Sequence, residues 1–158
     1  MVAEIARAFD HRANRLLAAL DPDDLTRLAP ALELVELPRG KVLYETGDTI
    51  HHAYFPHAGM VSLVTVMQNG ETVETATFGR EGVLGFSSAL VTRQSFGRYI
   101  VQLPGSASRI PLARLWEAFD TNPAIRTILL RFTEAFLAQT FQTVACNAVH
   151  TVEARCCR

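Results

Sequence analysis

The chain has 158 residues, of which 49% are hydrophobic and 20% charged, with a formal net charge of -1. That balance suits one folded domain with an appendage and excludes a disordered chain. It also excludes a free-standing nucleic-acid-binding module, which gathers a basic surplus on one face.

The first ten residues carry Glu4, Arg7 and Asp10 and lack the apolar stretch of a signal peptide. Apolar runs elsewhere are short. Val61 to Met67 is interrupted by Ser62 and Thr65, far below the ~20 residues that cross a bilayer. A cytoplasmic protein without a membrane partner is expected. Residues 4–19 read as a helix, with Ile5, Ala6, Phe9, Leu16, Leu17 and Leu20 at helical spacings. A second short helix is predicted from Asp21. Asp21 suits the N-cap, Pro22 the first turn and Asp24 the positive helix end, and Pro30 marks the stop.

From Ala31 to Pro111 turn signals recur every eight to twelve residues. Between them lie short runs rich in β-branched and aromatic residues: 34–37, 42–44, 52–55, 60–67, 71–78, 99–103 and 108–110. Evenly spaced short strands indicate a β-roll, jelly roll or sandwich. The clearest hairpin turns at Asn69-Gly70, where both positions tolerate positive φ. In its second strand Val73, Ala76 and Phe78 are expected on the apolar sides.

Leu112 to Phe119 reads as a short amphipathic helix carrying Trp116. Asn122-Pro123 then opens a segment free of glycine and proline to about Arg155, long for a globular helix. Its apolar residues are Ile125, Leu129, Phe132, Phe136, Val144, Ala148 and Val152. Such a stripe suits a second copy of the helix; packing on its own roll is the alternative.

The succession of helix, β-roll, short helix and long helix resembles the effector half of Crp/Fnr-type bacterial transcription regulators. Three phrases and the tail carry the resemblance. Leu37-Pro-Arg-Gly-Lys-Val-Leu-Tyr-Glu-Thr-Gly-Asp is similar to the family's first strands and glycine–acid turn. Ala53-Tyr-Phe-Pro-His-Ala-Gly-Met-Val-Ser-Leu is similar to the next strand, turn and strand. Phe78-Gly-Arg-Glu-Gly-Val-Leu-Gly-Phe resembles the segment that becomes the phosphate-binding cassette in members that take cyclic nucleotides. The tail His150-Thr-Val-Glu-Ala-Arg-Cys-Cys-Arg resembles the junction to a helix-turn-helix domain. The resemblance runs roughly from Leu25 to Arg158.

It implies a mainly β fold with flanking helices, a cyclic-nucleotide-binding-domain-like roll followed by a long C-terminal dimerisation helix. Residues 1–122 form the N-terminal helices, roll and short helix, and residues 123–158 the dimerisation helix. The family's DNA-binding helix-turn-helix is absent from the sequence, so DNA and RNA polymerase are partners only through that missing domain. A homodimer through the long helix and an effector of unnamed chemistry are implied; no cofactor is identified.

Two departures bear on the effector. Cyclic-nucleotide binders hold the ribose hydroxyls with a glutamate and the phosphate with an arginine, as diol and anion chemistry demand. Here the glutamate position is Phe86, after Gly85, and the arginine position falls on Phe96. Arg98, two residues on, keeps the same side of a strand. A cyclic AMP response is therefore not expected. The candidate effector residues are Gly82, Gly85, Phe86, Ser87, Ser88 and Arg98, with Thr140 where the family's long helix faces the pocket. The glycines at 79, 82 and 85 equally suit a tight turn, and Thr140 equally suits a bond to its own helix.

Two other readings stay open. A cupin-like metal-dependent enzyme is one, but His51, His52 and His57 lack the cupin spacing, and adjacent strand residues face opposite sides. A ligand-free dimeric β-roll is the other, with Phe86 and Phe96 filling the nucleotide's space. No nucleophile–base–acid arrangement is found, so no enzyme is expected. The three cysteines, Cys146, Cys156 and Cys157, are too few for a four-thiolate cluster and form no disulfide framework.

Overall fold

The computed structural model describes residues 11–149. Of the sequence expectations, the helix before His11, His150, the side chain of Ala148, Val152 and the Cys156–Cys157 pair lie outside the described residues.

The first helix among the described residues is the short α1 (Arg15–Ala18), capped by Asn14, whose Oδ1 accepts from Leu16 N and Leu17 N. Helix α2 (Pro22–Leu28) has Pro22 in its first turn and Asp23 and Asp24 at its positive end, and a 3-10 turn over Ala29–Ala31 follows. Seven strands come next: β1 (Glu33–Leu37), β2 (Val42–Tyr44), β3 (His52–Pro56), β4 (Met60–Val66), β5 (Thr72–Phe78), β6 (Arg98–Leu103) and β7 (Gly105–Pro111). Helix α3 (Leu112–Thr121) leads to α4 (Pro123–Val149).

All pairings are antiparallel, in a three-stranded sheet ordered β1-β7-β3 and a four-stranded sheet ordered β2-β6-β4-β5. The Asn69-Gly70 turn forms as its sequence demands: Gly70 has φ +84° and Asn69 Oδ1 accepts from Glu71 N at 3.1 Å. Leu63 faces Ala76 but Val64 faces Glu74. Thr75 is thus the extra residue of a bulge. The bulge resets the alternation, and the hairpin end beyond it leaves the body of the roll, so Val73 is half-exposed rather than packed on an apolar side.

The core has two parts. One lies inside the roll, where Leu37, Tyr44, Tyr54, Val61, Phe78, Tyr99 and Val101 converge. The other lies between the roll and the helices, where Leu17, Leu25, Phe55 and Phe86 meet Leu115, Ile125 and Leu129. Helix α4 serves both, since Phe132 also packs against the first.

That packing corrects part of the expected pairing stripe. Ile125 (4% exposed) and Leu129 (2%) are core residues of their own chain. Phe136 stacks on Phe78 at 5.2 Å and on Phe132 at 6.1 Å. Val144 alone of the described stripe faces outward, at 61% exposed. A second apolar set runs along the free side of α4: Leu130, Leu137, Phe141 and Val144, all exposed. Its spacings of seven, four and three residues are the heptad seam of a coiled coil, whereas the 125/129/132/136 set wraps onto the roll.

Candidate functional site: the cassette, the roll interior and the β5–α4 groove

The segment between β5 and β6 is where the phosphate-binding cassette is expected. Asn14 pins its start, with Nδ2 donating to Gly82 O and to Pro56 O, both at 3.0 Å. Gly82 lies against the Phe132 ring of α4, where a Cβ would make ordinary contact at 3.4 Å. Gly85 has φ +85°, and a Cβ would lie 2.9 Å from His52 O. Gly85 therefore serves the close packing of the segment against β3. Glu81 folds back to accept from Gly79 N at 3.1 Å.

Phe86, a candidate effector residue, packs into the core between the roll and the helices. It is fully buried on the helical side of the roll, with ring centroids 5.4 Å from Trp116 and 5.8 Å from Phe119. Phe96 does not fill the interior either; it is 61% exposed. Arg98 reaches outward to Glu45, Nε to Oε2 at 2.8 Å, so its charge is satisfied at the surface. No sequence-predicted cation faces the roll interior.

The interior is occupied by tyrosines that the sequence analysis did not single out. Tyr99 is 2% exposed, and its hydroxyl meets Ser88 Oγ at 2.9 Å. Burial pushes the Tyr99 phenol up from its ordinary range. Tyr44 packs edge-on to Tyr54 and Tyr99, each at 6.3 Å. Its hydroxyl donates to His52 O and accepts from His52 N, both at 3.0 Å, and burial pushes its pKa up to about 12. Ser88 is thus an interior polar residue held by tyrosine, while Ser87 Oγ is buried without a hydrogen-bond partner. The signal for this filling was the tyrosines' placement on facing strands, which single-strand patterning does not reveal.

At one end of the interior Arg109 Nη2 donates to Glu33 at 2.5 Å, which raises the guanidinium's pKa, while burial lowers that of His52. On the sheet's other face Ser108 Oγ lies 2.6 Å from both His11 Nδ1 and His57 Nε2. His51, His52 and His57 therefore do not converge: His51 is exposed and His57 is engaged with Ser108.

Thr140 takes part in a different site. Its hydroxyl donates to Phe136 O at 2.8 Å, and it lines a groove of about 130 Å³ between β5 and α4. Residues 74–77 form one wall, and Phe136, Gln139, Thr140 and Thr143 the other. The i, i+3, i+4, i+7 spacing of the helical wall was the available signal.

The sequence profile described as "Cyclic nucleotide-binding domain" matches residues 34–122, more than half of the chain. The Global nitrogen regulator of Nostoc sp. is 27% identical over 113 residues, covering 70% of this chain and 50% of that protein. The chain thus spans about half the length of the curated relatives it matches. Among solved structures, the N-terminal domain of a transcriptional regulator from Streptomyces coelicolor superposes with TM-score 0.62 at 24% identity, covering 85% of this chain and 94% of that one. The c-di-GMP-responsive global regulator CLP of Xanthomonas campestris superposes with TM-score 0.72 at 17% identity, covering 85% and 68%. No helix among the described residues is long and apolar enough to cross a membrane. With the roll, the cassette segment and the long helix in this order, the chain belongs to the cyclic nucleotide-binding domain family.

Proposed function

We propose that the chain is the sensor and dimerisation module of a cytoplasmic Crp/Fnr-type regulator, that it is not an enzyme, and that cyclic AMP is not its effector. One observation carries the last point: the positions that hold ribose and phosphate in cyclic-nucleotide binders are phenylalanines here, and the neighbouring arginine is already paired. Phe86 is buried against Trp116 and Phe119, Phe96 falls where the resemblance places the phosphate-binding arginine and is exposed, and Arg98 is held by Glu45. An anion leaving water for such a site loses hydration without a paired charge. CLP, of the same fold, is described as responsive to c-di-GMP, so the fold does not dictate cyclic AMP. Two copies pair through Leu130, Leu137, Phe141 and Val144, and DNA and RNA polymerase are reached through a DNA-binding domain outside residues 1–158. Isothermal titration with cyclic AMP tests the effector reading. The expected result is no saturable heat below ~1 mM ligand, weaker than about −4 kcal/mol of binding. Micromolar, one-per-chain binding overturns it.

A further inference from the structure

A groove of about 310 Å³ runs between α2 and α3 and ends at the first turn of α4. Its apolar lining is Leu28, Ala31, Ala118 and Ile125, of which Leu28 and Ile125 belong to the core between roll and helices. Its polar lining among the described residues is Arg27, Arg114, Glu117, Thr121 and Asn122. Arg27 is exposed and has no ion-pair or hydrogen-bond partner among the described residues. Asp23, one turn earlier, makes no ion pair with it. Arg114 Nη1 donates to Glu117 Oε2 at 2.8 Å, which leaves the rest of its guanidinium fork open. Asn122 Oδ1 accepts from Ala124 N and Ile125 N, and Nδ2 donates to Asp24 Oδ1 at 2.6 Å, so one Nδ2 hydrogen remains. Thr121 donates its hydrogen to Glu117 O at 2.7 Å and keeps only lone pairs, as does Glu117 Oε1. Two guanidinium groups against one carboxylate leave the groove one positive charge. The C-terminal carbonyls of α3, which would repel an anion, are already taken. Phe119 O and Asp120 O accept from Arg126 at 3.0 and 2.6 Å, and Ala118 O accepts from Asn122 N at 2.9 Å.

We propose that this groove is a binding site for a small carboxylate that carries an aliphatic body and an N–H donor, with Arg27 as the residue that holds its charge. An N–H fork matches a carboxylate with two parallel hydrogen bonds, and the open hydrogens of Arg114 and Asn122 add to it. The apolar lining receives the aliphatic body. Glu117 Oε1 and the Thr121 lone pairs accept the N–H. An N-acylated aliphatic amino acid has all three features, and the volume of about 310 Å³ holds roughly ten water molecules at ~30 Å³ each, room for such a ligand. A neutral amide of the same shape leaves Arg27 unpaired. Inorganic phosphate brings charge but nothing for the apolar lining. The groove is built from α2, α3 and the start of α4, apart from the cassette and the roll interior, so the proposal does not rest on the sensor reading.

The test is an NMR titration of the isotope-labelled 158-residue chain with N-acetyl-leucine, and separately with N-acetyl-leucinamide and inorganic phosphate. Saturable shifts of the amides of Arg27, Arg114, Thr121 and Asn122 are expected with N-acetyl-leucine, with binding at least about tenfold weaker for the other two probes. Arg27→Gln weakens the affinity for N-acetyl-leucine by about tenfold, as loss of a charge-assisted hydrogen bond does. Arg39→Gln, which removes the same charge at the exposed turn between β1 and β2, leaves it unchanged. Equal binding of the neutral amide or of phosphate overturns the proposal. So does undiminished binding by Arg27→Gln, or equal weakening by Arg39→Gln. Shifts confined to Ser88 and Tyr99 place the ligand in the roll interior, which overturns the groove and leaves the sensor reading intact. Absence of saturable shifts with N-acetyl-leucine also overturns the groove.

Discussion

Leu129 and Leu137 lie on the same helix and are the same residue type, yet the structure assigns them opposite tasks. Leu129 is 2% exposed in the core between roll and helices, and Leu137 is 47% exposed on the free side of α4. Leu129→Ala removes buried methyl groups and leaves a cavity among Leu17, Phe55, Leu115 and Ile125, a change that costs about 2–5 kcal/mol. Taking ~3 kcal/mol, the midpoint of thermal unfolding falls by roughly 6–12 °C for a chain of this size. Leu137→Ala opens no cavity within the chain. Its cost appears in association, through the loss of about 1–2 kcal/mol of apolar burial per copy at the seam. Denaturation at several protein concentrations, paired with sedimentation equilibrium, separates the two, because dimer stability depends on concentration and core stability does not. Leu129→Ala should lower stability at every concentration, and Leu137→Ala should shift the monomer–dimer equilibrium by about tenfold or more. The reverse assignment of effects would refute the division of α4 into a core stripe and a seam.

Two further perturbations probe the parts that hold the cassette and the interior. Asn14→Ala deletes a helix cap and orphans the buried Pro56 and Gly82 carbonyls, which together cost about 3–5 kcal/mol; a loss below ~1 kcal/mol in urea denaturation contradicts that hub role. Tyr44→Phe removes both hydrogen bonds to the His52 backbone. Because the folded-state pKa of Tyr44 is raised from about 10 to about 12, its neutral form stabilises the fold fully below pH 10, and that contribution fades as pH rises toward 12. The stability gap between wild type and Tyr44→Phe should therefore narrow across that window, and a gap that widens refutes the interior assignment of Tyr44.

Much of the fold was legible because the local signals agreed. Asn69-Gly70 named its turn, Pro22 and Asn122-Pro123 named helix starts, and the short runs between Ala31 and Pro111 named strands that form within a few residues of their expected limits. The long helix was also legible, but its partner assignment was not. The two apolar stripes of α4 interleave at positions 125–144, and periodicity cannot tell which one meets the roll and which stays free. The site was less legible still. Phe86 and Phe96 were assigned by their place in a family phrase, yet the first turns to Trp116 and the second to solvent. Side-chain direction in an irregular segment depends on the glycines' backbone angles, such as the φ of +85° at Gly85, which residue identity does not supply. Tyr99, Tyr44 and Ser88 meet only because β2, β3, β6 and the cassette segment close on one another. Thr140 was read as facing the family's pocket or bonding its own helix, and it bonds Phe136 O; the β5 residues beside it depend on the bulge at Thr75, invisible in the strand's alternation.

The central claim, a dimeric module of this family without a cyclic-phosphate site, is tested most directly by native mass spectrometry of the purified 17.4 kDa chain with and without cyclic AMP. The account predicts a dimer that Leu137→Ala shifts toward monomer, with no cyclic AMP adduct. A monomer at micromolar concentration, or a dimer carrying one cyclic AMP per chain, would contradict it.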